Sequence, residues 1–424
     1  MQISKAIGRL SRSVGRNSFC IVMGATALSF SSASSLGASI TTLVSFNSPN
    51  GGAPTTTLIA DSAGNLYGAT SDVNMAGSGA IFKIAAGTHA FSTLVMLNDF
   101  ETGLDPSGLM IDSDGNLYGA TTFGTASLFV LPAGSSTLTM LGTFYTGNGT
   151  NARGAPIADS AGNIFGTAHD GGTDSNGVLL SNGPGTIYMH AAGGNSITAV
   201  SFNGTNGSGP SGGLIADRAG NFYGTTSAGG AYHQGTVFKF DPGAKTITAL
   251  ASFNGTNGAD PRGTLIPDDA GNFYGTTYSG GTYGDGTIFK MTAGTNVLTT
   301  LASFDGDNGA NPCAGLIADA AGNLYGTTAN GGAGDYGTVF KLPAGSNAIT
   351  TLASFNYING ADPQAGLIAD SAGNLYGTTA GGGADNIGTV FEITNTGFVT
   401  PEPSSLWLAA LGAVGLLRRR RARR

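Results

Sequence analysis

One eight-residue sequence motif, called the phrase below, occurs seven times along this chain. It reads D-x-x-G-N-[LIF]-[YF]-G and begins at Asp61, Asp112, Asp159, Asp217, Asp268, Asp319 and Asp370. Around each copy, short apolar segments are bounded by Gly, Asn, Asp or Pro, a pattern typical of strands joined by turns. Four apolar segments in a repeat of roughly 50 residues indicate the blades of a β-propeller.

The order of the segments predicts how the array closes. We label them A (GLIAD), B (NLYGTT), C (GTVFKL) and D (ITTLASF). The first unit is preceded by a D segment at residues 40–46, and the last unit ends in a C segment at 388–393. We therefore predict an all-β fold, a seven-bladed β-propeller of four-stranded blades closed by pairing of the N-terminal strand with the last blade. The alternative is a right-handed parallel β-helix with two coils per repeat.

The phrase itself favours a folding role. Its Asp can accept a backbone N–H in the short A-to-B turn, and its first Gly can take the left-handed conformation. Residues 112–115 resemble the start of a calcium loop, but no Glu follows at the twelfth position. We predict no metal and no cofactor. Antiparallel order places the D-to-A and B-to-C loops on one face, the expected binding face; the alternative is that these loops are only turns.

Charge excludes one class of partner. The net charge is -7, and residues 39–400 contain 8 basic and 24 acidic side chains. Nucleic-acid binding needs clustered Lys and Arg, so we expect no nucleic-acid partner. The three arginines of this body, Arg153, Arg218 and Arg262, are predicted to be solvated surface charges.

The termini indicate export. Residues 1–38 combine a basic start, an apolar stretch and small residues, which is typical of a secretory signal peptide. Its removal would leave Cys313 as a lone cysteine, predicted to be a packing residue, with no intramolecular disulfide. At the other end, Pro401, Glu402 and Pro403 precede twelve apolar residues and six arginines. This apolar stretch is short for a comfortable membrane span.

Two resemblances extend this interpretation. The repeat motif G-L-I-A-D-x-A-G-N-L-Y-G-T-T, followed by G-T-V-F-K, resembles the GloVer tandem repeat of bacterial surface proteins and, more distantly, NHL-type propeller repeats. The resemblance covers nearly all of residues 40–393. The tail resembles a PEP-CTERM sorting signal, which implies processing by an exosortase-type enzyme after transient anchoring in the inner membrane. The predicted domains are 1–38 signal peptide, 39–397 propeller and 398–424 sorting or anchor segment, with short apolar helices at both termini.

No catalytic constellation is recognisable in the sequence. The four histidines lack metal-ligand spacing, and the string Gly-Pro-Ser-Gly-Gly at 209–213 lies in a loop that leads into a strand, not in a nucleophile elbow. Candidate binding residues lie where the repeat is broken or where loops carry aromatic residues. They are His169, Asp170, Asp174, Tyr232, His233, Tyr278 and Tyr283.

Two function classes remain open. The first is an exported, non-catalytic cell-surface or matrix protein that binds polysaccharide or envelope proteins through its loop face. The second is a secreted propeller enzyme, of lyase or lactonase type, acting on carbohydrate. A compact set of histidine and carboxylate side chains at the channel mouth would favour the enzyme.

Overall fold

The first and last described strands pair with each other. In this computed structural model, β1 (Ser39–Ser45) runs antiparallel to β29 (Thr389–Thr394), with Ile40 opposite Ile393. The structure describes residues 38–47, 50–71, 79–97, 104–123, 126–174 and 176–400. The predicted signal peptide, the predicted terminal helices and the motif Pro401, Glu402, Pro403 lie outside these residues, so the predicted domain boundaries stay predictions.

The described strands form seven antiparallel sheets in the predicted A-B-C-D order. Blade 1 contains β2 (Ile59–Ala60), β3 (Leu66–Thr70), β4 (Ala80–Ile84) and β5 (Phe91–Met96). Blade 2 contains β6 (Leu104–Ile111), β7 (Leu117–Phe123), β8 (Ser127–Leu131) and β9 (Thr139–Thr143). Blade 3 contains β10 (Thr150–Ala158), β11 (Ile164–Asp170), β12 (Thr186–His190) and β13 (Ile197–Ser201).

The remaining blades repeat this plan. Blade 4 contains β14 (Ser208–Pro210), β15 (Ile215–Ala216), β16 (Phe222–Ala228), β17 (Thr236–Asp241) and β18 (Thr246–Ser252). Blade 5 contains β19 (Ile266–Pro267), β20 (Phe273–Thr277), β21 (Thr287–Met291) and β22 (Leu298–Ser303). Blade 6 contains β23 (Ile317–Ala318), β24 (Leu324–Thr328), β25 (Thr338–Leu342) and β26 (Thr350–Ser354). Blade 7 contains β27 (Ile368–Ala369), β28 (Leu375–Thr379), β29 and β1.

The fold is therefore the predicted seven-bladed propeller, and the β-helix alternative is wrong. All neighbouring strands in these seven sheets pair antiparallel, whereas a parallel β-helix stacks its coils in parallel. No helix among the described residues is long and apolar enough to cross a membrane.

The repeated Asp and Asn hold the A-to-B turn against the C-to-D turn in blades 1, 2, 3, 5 and 6. In blade 1, Asp61 Oδ1 accepts the backbone N–H groups of Ala63 and Asn65, both at 2.9 Å. Its Oδ2 accepts from Asn65 Nδ2 at 2.7 Å and from the Tyr67 hydroxyl at 2.9 Å. Asn65 Oδ1 in turn accepts the N–H of Ala86 in the C-to-D turn at 3.0 Å. Asp112, at the calcium-like string, is engaged in the same way.

The last Gly of the phrase is required by close packing. At Gly377, an added Cβ would lie 2.5 Å from the ring of Phe391 on the neighbouring strand, nearer than real Cβ contacts allow. Beside it, the hydroxyls of Thr379 and Thr389 meet at 2.9 Å inside the sheet. The repeated G-T-T and G-T-V-F segments are therefore the B and C strands of each blade, and their side chains pack closely against each other.

Phenylalanines join consecutive blades. Phe253, after the D strand of blade 4, packs edge-on against Phe289 of blade 5 with ring centroids 4.9 Å apart. The same contact closes the ring, since Phe46 after β1 lies 5.3 Å from Phe82 of blade 1. A threonine adds to this closure, because Thr378 Oγ1 of blade 7 donates to the Thr56 carbonyl of blade 1 at 3.4 Å.

Blade 3 departs from the pattern in its core. Tyr188 stands where the other blades have Phe, and its buried hydroxyl has no hydrogen-bond partner among the described residues. His190 is 3% exposed, and both of its ring nitrogens are likewise without a partner in the described part of the chain. Phe165 replaces the usual Tyr and packs against Phe222 of blade 4, with ring centroids 4.4 Å apart and ring planes tilted by 36°.

Candidate binding face and channel mouth

The D-to-A and B-to-C loops meet on one face, as predicted. In blade 5 the N–H of Gly281, in the B-to-C loop, donates to the carbonyl of Gly255, in the D-to-A loop, at 2.8 Å. Blade 4 repeats the contact between Gly230 and Gly204 at 2.8 Å. We call this side the loop face; the opposite side carries the A-to-B and C-to-D turns.

The asparagines of the loop face are engaged in building it. Asn254 Oδ1 accepts the N–H of Asn257 at 3.0 Å, and Asn257 Oδ1 accepts the N–H of Asn254 at 2.9 Å. The same reciprocal pair occurs in the loops that lead into blades 4, 6 and 7, with Asp305 in place of the first Asn in blade 6. The D-to-A loops are thus self-supporting turns, in which these side-chain Oδ1 atoms are already engaged as acceptors.

Tyrosines, by contrast, project from the loops. Tyr232 and Tyr283 occupy matching positions in the B-to-C loops of blades 4 and 5 and are 58% and 65% exposed. Beside Tyr283 lies an open groove of about 510 Å³. Near the loop face it is lined by the polar residues Thr282, Ser303, Asp305 and Asn308, and it extends along β22 to residues 347–349 in the C-to-D turn of blade 6. An exposed aromatic ring beside a hydroxyl-rich groove suits a polar ligand with an apolar face.

Three positions in each blade surround the mouth of the central channel on this face. The first is a residue on the innermost chain path, with positive φ in every blade, and the second follows two residues later. The third lies within one residue of the end of the B strand. Much of the surrounding sequence repeats, whereas these positions differ between blades. They are Asn151, Arg153 and His169 in blade 3; Gly209, Ser211 and Ser227 in blade 4; and Asp260, Arg262 and Tyr278 in blade 5.

Blade 3 contributes a connected polar group. His169 Nδ1 lies 2.7 Å from Asp170 Oδ1, and Asn151 Nδ2 donates to Asp170 Oδ2 at 3.0 Å. Arg153 Nε donates to Asn151 Oδ1 at 3.3 Å. Arg153 is exposed within the mouth, but neighbouring side chains withdraw it partly from bulk water and lower its pKa. The charge of Arg262 acts in the same direction, whereas Asp170 opposes it.

In blade 5, Arg262 is bound by a carboxylate and by an aromatic ring. Arg262 donates to Asp260 Oδ2 from Nε at 3.0 Å and from Nη2 at 2.5 Å. Its guanidinium lies 3.6 Å from the centroid of the Tyr278 ring, which is a cation–π contact. Partial burial alone would lower the pKa of Arg262, but the bonds and charge of Asp260 outweigh it and raise that pKa.

Blades 6 and 7 contribute a thiol, Cys313, and a carboxylate, Asp362, to the channel mouth. Burial raises the pKa of the Cys313 thiol to about 11, although Arg262 opposes the shift. Its Sγ donates to the Asn311 carbonyl at 3.4 Å, consistent with the predicted packing role. Burial also raises the pKa of Asp362, against the hydrogen bond donated by Gln364.

The structure brings together some of the predicted site residues and separates others. His169, Asp170 and Tyr278 belong to the channel mouth. Asp174 caps a turn within the enlarged blade 3 loop, where its Oδ1 accepts the N–H groups of Asn176 and Val178. Tyr232, His233 and Tyr283 lie in B-to-C loops farther along the chain. The prediction that Arg262 is a solvated surface charge is wrong, because Asp260 and the Tyr278 ring hold it at the mouth, and Arg153 lies at the same mouth. The signal in the sequence was that both residues differ from the matching residues of the other repeats.

The chain leaves the propeller on the opposite face. After β29, Thr396 Oγ1 donates to the carbonyl of Gly373 at 2.8 Å, and the N–H of Ala320 donates to the carbonyl of Val399 at 2.8 Å. Gly373 and Ala320 belong to the A-to-B turns of blades 7 and 6. Phe398 packs on Tyr325, with ring centroids 5.1 Å apart. The segment that leads to the predicted sorting signal is therefore fixed to the face away from the loops.

Comparison with known proteins identifies the family. The model of the Gloeobacter/Verrucomicrobia repeat matches residues 26–182 and 264–401, more than half of the chain. The chain belongs to the Gloeobacter/Verrucomicrobia repeat family. This repeat protein also carries the PEP-CTERM protein-sorting motif at residues 399–421, which supports export with transient membrane anchoring and processing by exosortase-type machinery. No curated protein matches it.

Solved structures similar to this repeat protein support the fold. The extracellular domain of a putative hybrid two component system from B. thetaiotaomicron matches with a TM-score of 0.55 and 11% identity, covering 83% of this chain and 39% of that one. A fungal alcohol oxidase of the AA5 family, in complex with copper, matches with a TM-score of 0.54 and 15% identity, covering 84% and 75%. This repeat protein spans about 40% of the length of the bacterial extracellular domain.

Proposed function

We propose that this protein is a non-catalytic cell-surface or matrix component that binds polysaccharide through its loop face. The observation that carries the proposal is the pair of matched, exposed tyrosines, Tyr232 and Tyr283, with the groove beside Tyr283. A tyrosine ring can stack on the apolar face of a sugar while hydroxyl and amide groups bind its edges. Two neighbouring blades would offer this contact twice to a repeating polymer, which raises avidity.

The exit of the chain supports the same function. Residues 395–400 run along the turn face, so a tail anchored in the membrane would leave the loop face turned outward. The tyrosines would then be presented to extracellular polymer both before and after processing. An envelope protein as the partner is the other outcome that this geometry allows.

A glycan-array screen followed by titration calorimetry tests the proposal. We expect wild-type protein to bind at least one polysaccharide class and Tyr283→Ala to weaken that binding at least tenfold, because a stacked ring is lost. The matched control is Val297→Ala, a 56% exposed apolar residue in the C-to-D turn of the same blade. Equal binding by Tyr283→Ala and wild type, or no glycan binding at all, would contradict the proposal.

A second candidate is a secreted enzyme acting on carbohydrate, of lyase or lactonase type. The pairing of His169 with Asp170 favours it, since a carboxylate on Nδ1 leaves Nε2 to move a proton. Turnover of carbohydrate lactones or polymers by wild type, abolished in His169→Gln, would support this enzyme. Binding without turnover would leave the non-catalytic function.

A further inference from the structure

The channel mouth contains two of the eight basic side chains of residues 39–400. Residues 39–400 contain three arginines, and two of them, Arg153 and Arg262, stand at matching positions of blades 3 and 5. They are close enough for the charge of Arg262 to lower the pKa of Arg153. Partial burial is the larger cause of that lowered pKa, and the carboxylates of Asp170 and Asp260 offset part of it. A carboxylate bound at the Arg153 guanidinium would offset the remainder.

The two arginines differ in how far they are already engaged. Arg262 is held by Asp260 and by the Tyr278 ring. Among the described residues, the Arg153 side chain makes one hydrogen bond, from Nε to Asn151. Its terminal nitrogens are therefore free for the two parallel hydrogen bonds by which a guanidinium holds a carboxylate.

Acceptors for hydroxyl groups lie around the same opening. Asp260 Oδ1 is buried and has no hydrogen-bond partner within the described residues, while the charge of this carboxylate is compensated by Arg262. His169 is held at Nδ1 by Asp170, which leaves Nε2 as a further site. A ligand with one carboxylate and several hydroxyls would satisfy these groups together.

Blade 4 leaves room for such a ligand. It stands between the two arginine-bearing blades, and its three mouth positions are the small residues Gly209, Ser211 and Ser227. A Cβ added at Gly209 would lie 3.0 Å from His169 Nε2, so the imidazole reaches over the backbone of blade 4. The recess is thus bounded by Arg153 and His169 on one side and by Arg262 on the other.

We propose that this recess binds a sugar acid, with Arg153 receiving its carboxylate and Asp260 and His169 receiving its hydroxyls. The inference rests on the proposed function for carbohydrate as the ligand class, and it adds a site separate from the exposed tyrosines. An acidic residue within a polysaccharide and a free sugar acid share this chemistry.

Calorimetric titration with D-glucuronate, glucuronamide and D-glucose tests the proposal, with oligoglucuronate as the polymeric arm. We expect glucuronate to bind, and glucuronamide and glucose to bind at least tenfold more weakly, since they lack the carboxylate. Arg153→Gln should weaken glucuronate binding tenfold or more, with an unchanged melting temperature because Arg153 is exposed. Arg218→Gln, which changes an exposed arginine of the turn face, should bind as wild type does. Oligoglucuronate binding tighter than the monomer would indicate a polymer as the source.

A second variant tests the recess without touching the arginine. Ser211→Gln introduces the residue that stands at the matching position of blade 7, Gln364, so the fold already tolerates it there. It should fill the recess and also weaken glucuronate binding at least tenfold.

Two results would overturn the sugar-acid site: equal binding of glucuronate and glucuronamide, or full glucuronate binding by Arg153→Gln. If neutral glycans still bind through Tyr283, only the sugar-acid site fails. If glucuronate binds at Arg153 while Tyr283→Ala changes no glycan binding, the proposed polysaccharide binding by the loop-face tyrosines fails instead.

Discussion

Val44 in the first described strand faces Val390 in the last, and both side chains are buried in one core cluster. This contact makes the ring depend on the N-terminal strand. We predict that Val44→Asp lowers the free energy of unfolding by about 3 kcal/mol or more, because it places an unpaired charge in that cluster. Denaturant unfolding measures the change. Thr42→Asp, on the exposed side of the same strand, should cost far less; equal losses in the two variants would contradict the packing of β1 into blade 7.

Tyr188 offers an opposite prediction, a gain of stability. Its buried hydroxyl has no partner among the described residues, and the other blades have Phe at this position. Tyr188→Phe should raise the free energy of unfolding by about 1 kcal/mol, since an unsatisfied polar group is removed. Tyr325→Phe is the matched control, because the hydroxyl of Tyr325 is also buried but donates to Asp319 at 3.0 Å. It should lose about 1 kcal/mol or more. The prediction fails if the two variants change stability in the same direction.

The turn carboxylates predict a loss of stability in acid. Burial would raise the pKa of Asp61, Asp217 and Asp268, but hydrogen bonds from the neighbouring Asn and Tyr and from the backbone outweigh it and lower the pKa. A carboxyl with a lowered pKa in the folded state stabilises fully above the unfolded pKa, and this contribution is lost as pH falls through the folded value. Stability should therefore fall from about pH 4 downward.

Denaturant midpoints between neutral pH and pH 3 measure this dependence. Asp268→Asn should be less stable at neutral pH and should show a shallower decline in acid than wild type. Asp269→Asn is the control, since no hydrogen bond of that side chain is present within the described residues. A decline as steep in Asp268→Asn as in wild type would show that these carboxylates are not its source.

Cys313 should react slowly with thiol reagents. Burial raises the pKa of its thiol to about 11, so at pH 8 its thiolate fraction is on the order of 100-fold below that of a free cysteine. We expect alkylation of the folded protein to be slower by a similar factor and to recover on unfolding. Rapid modification of the folded protein at pH 8 would contradict the packing role and point to an activated thiol.

The sequence predicted the architecture because the repeat encodes it redundantly. The phrase that begins at Asp61 specifies a turn, and Gly377 and Phe391 belong to strings whose mutual fit recurs from blade to blade. Closure followed from counting strands, because the unpaired segments at 40–46 and 388–393 complement each other. Such features depend on local and repeated contacts, which a single sequence displays directly.

The channel mouth could not be predicted in the same way. Arg153 and Arg262 are more than 100 residues apart in the sequence and share no motif. They come together because each occupies the same position of a different blade, and the ring brings those positions to one opening. The sequence identified His169 and Asp170 through the broken repeat, but their relation to Arg153 depends on the innermost chain path of blade 3.

Hydrogen–deuterium exchange of the propeller, with and without a saturating glycan ligand, tests most directly that binding occurs on the loop face. We expect slower exchange on binding in the loops at 202–214, 229–235 and 278–286, with unchanged exchange in the A-to-B turns around Asp217 and Asp268. Protection confined to those turns or to the outer strands β18 and β22, with the loops unaffected, would contradict it.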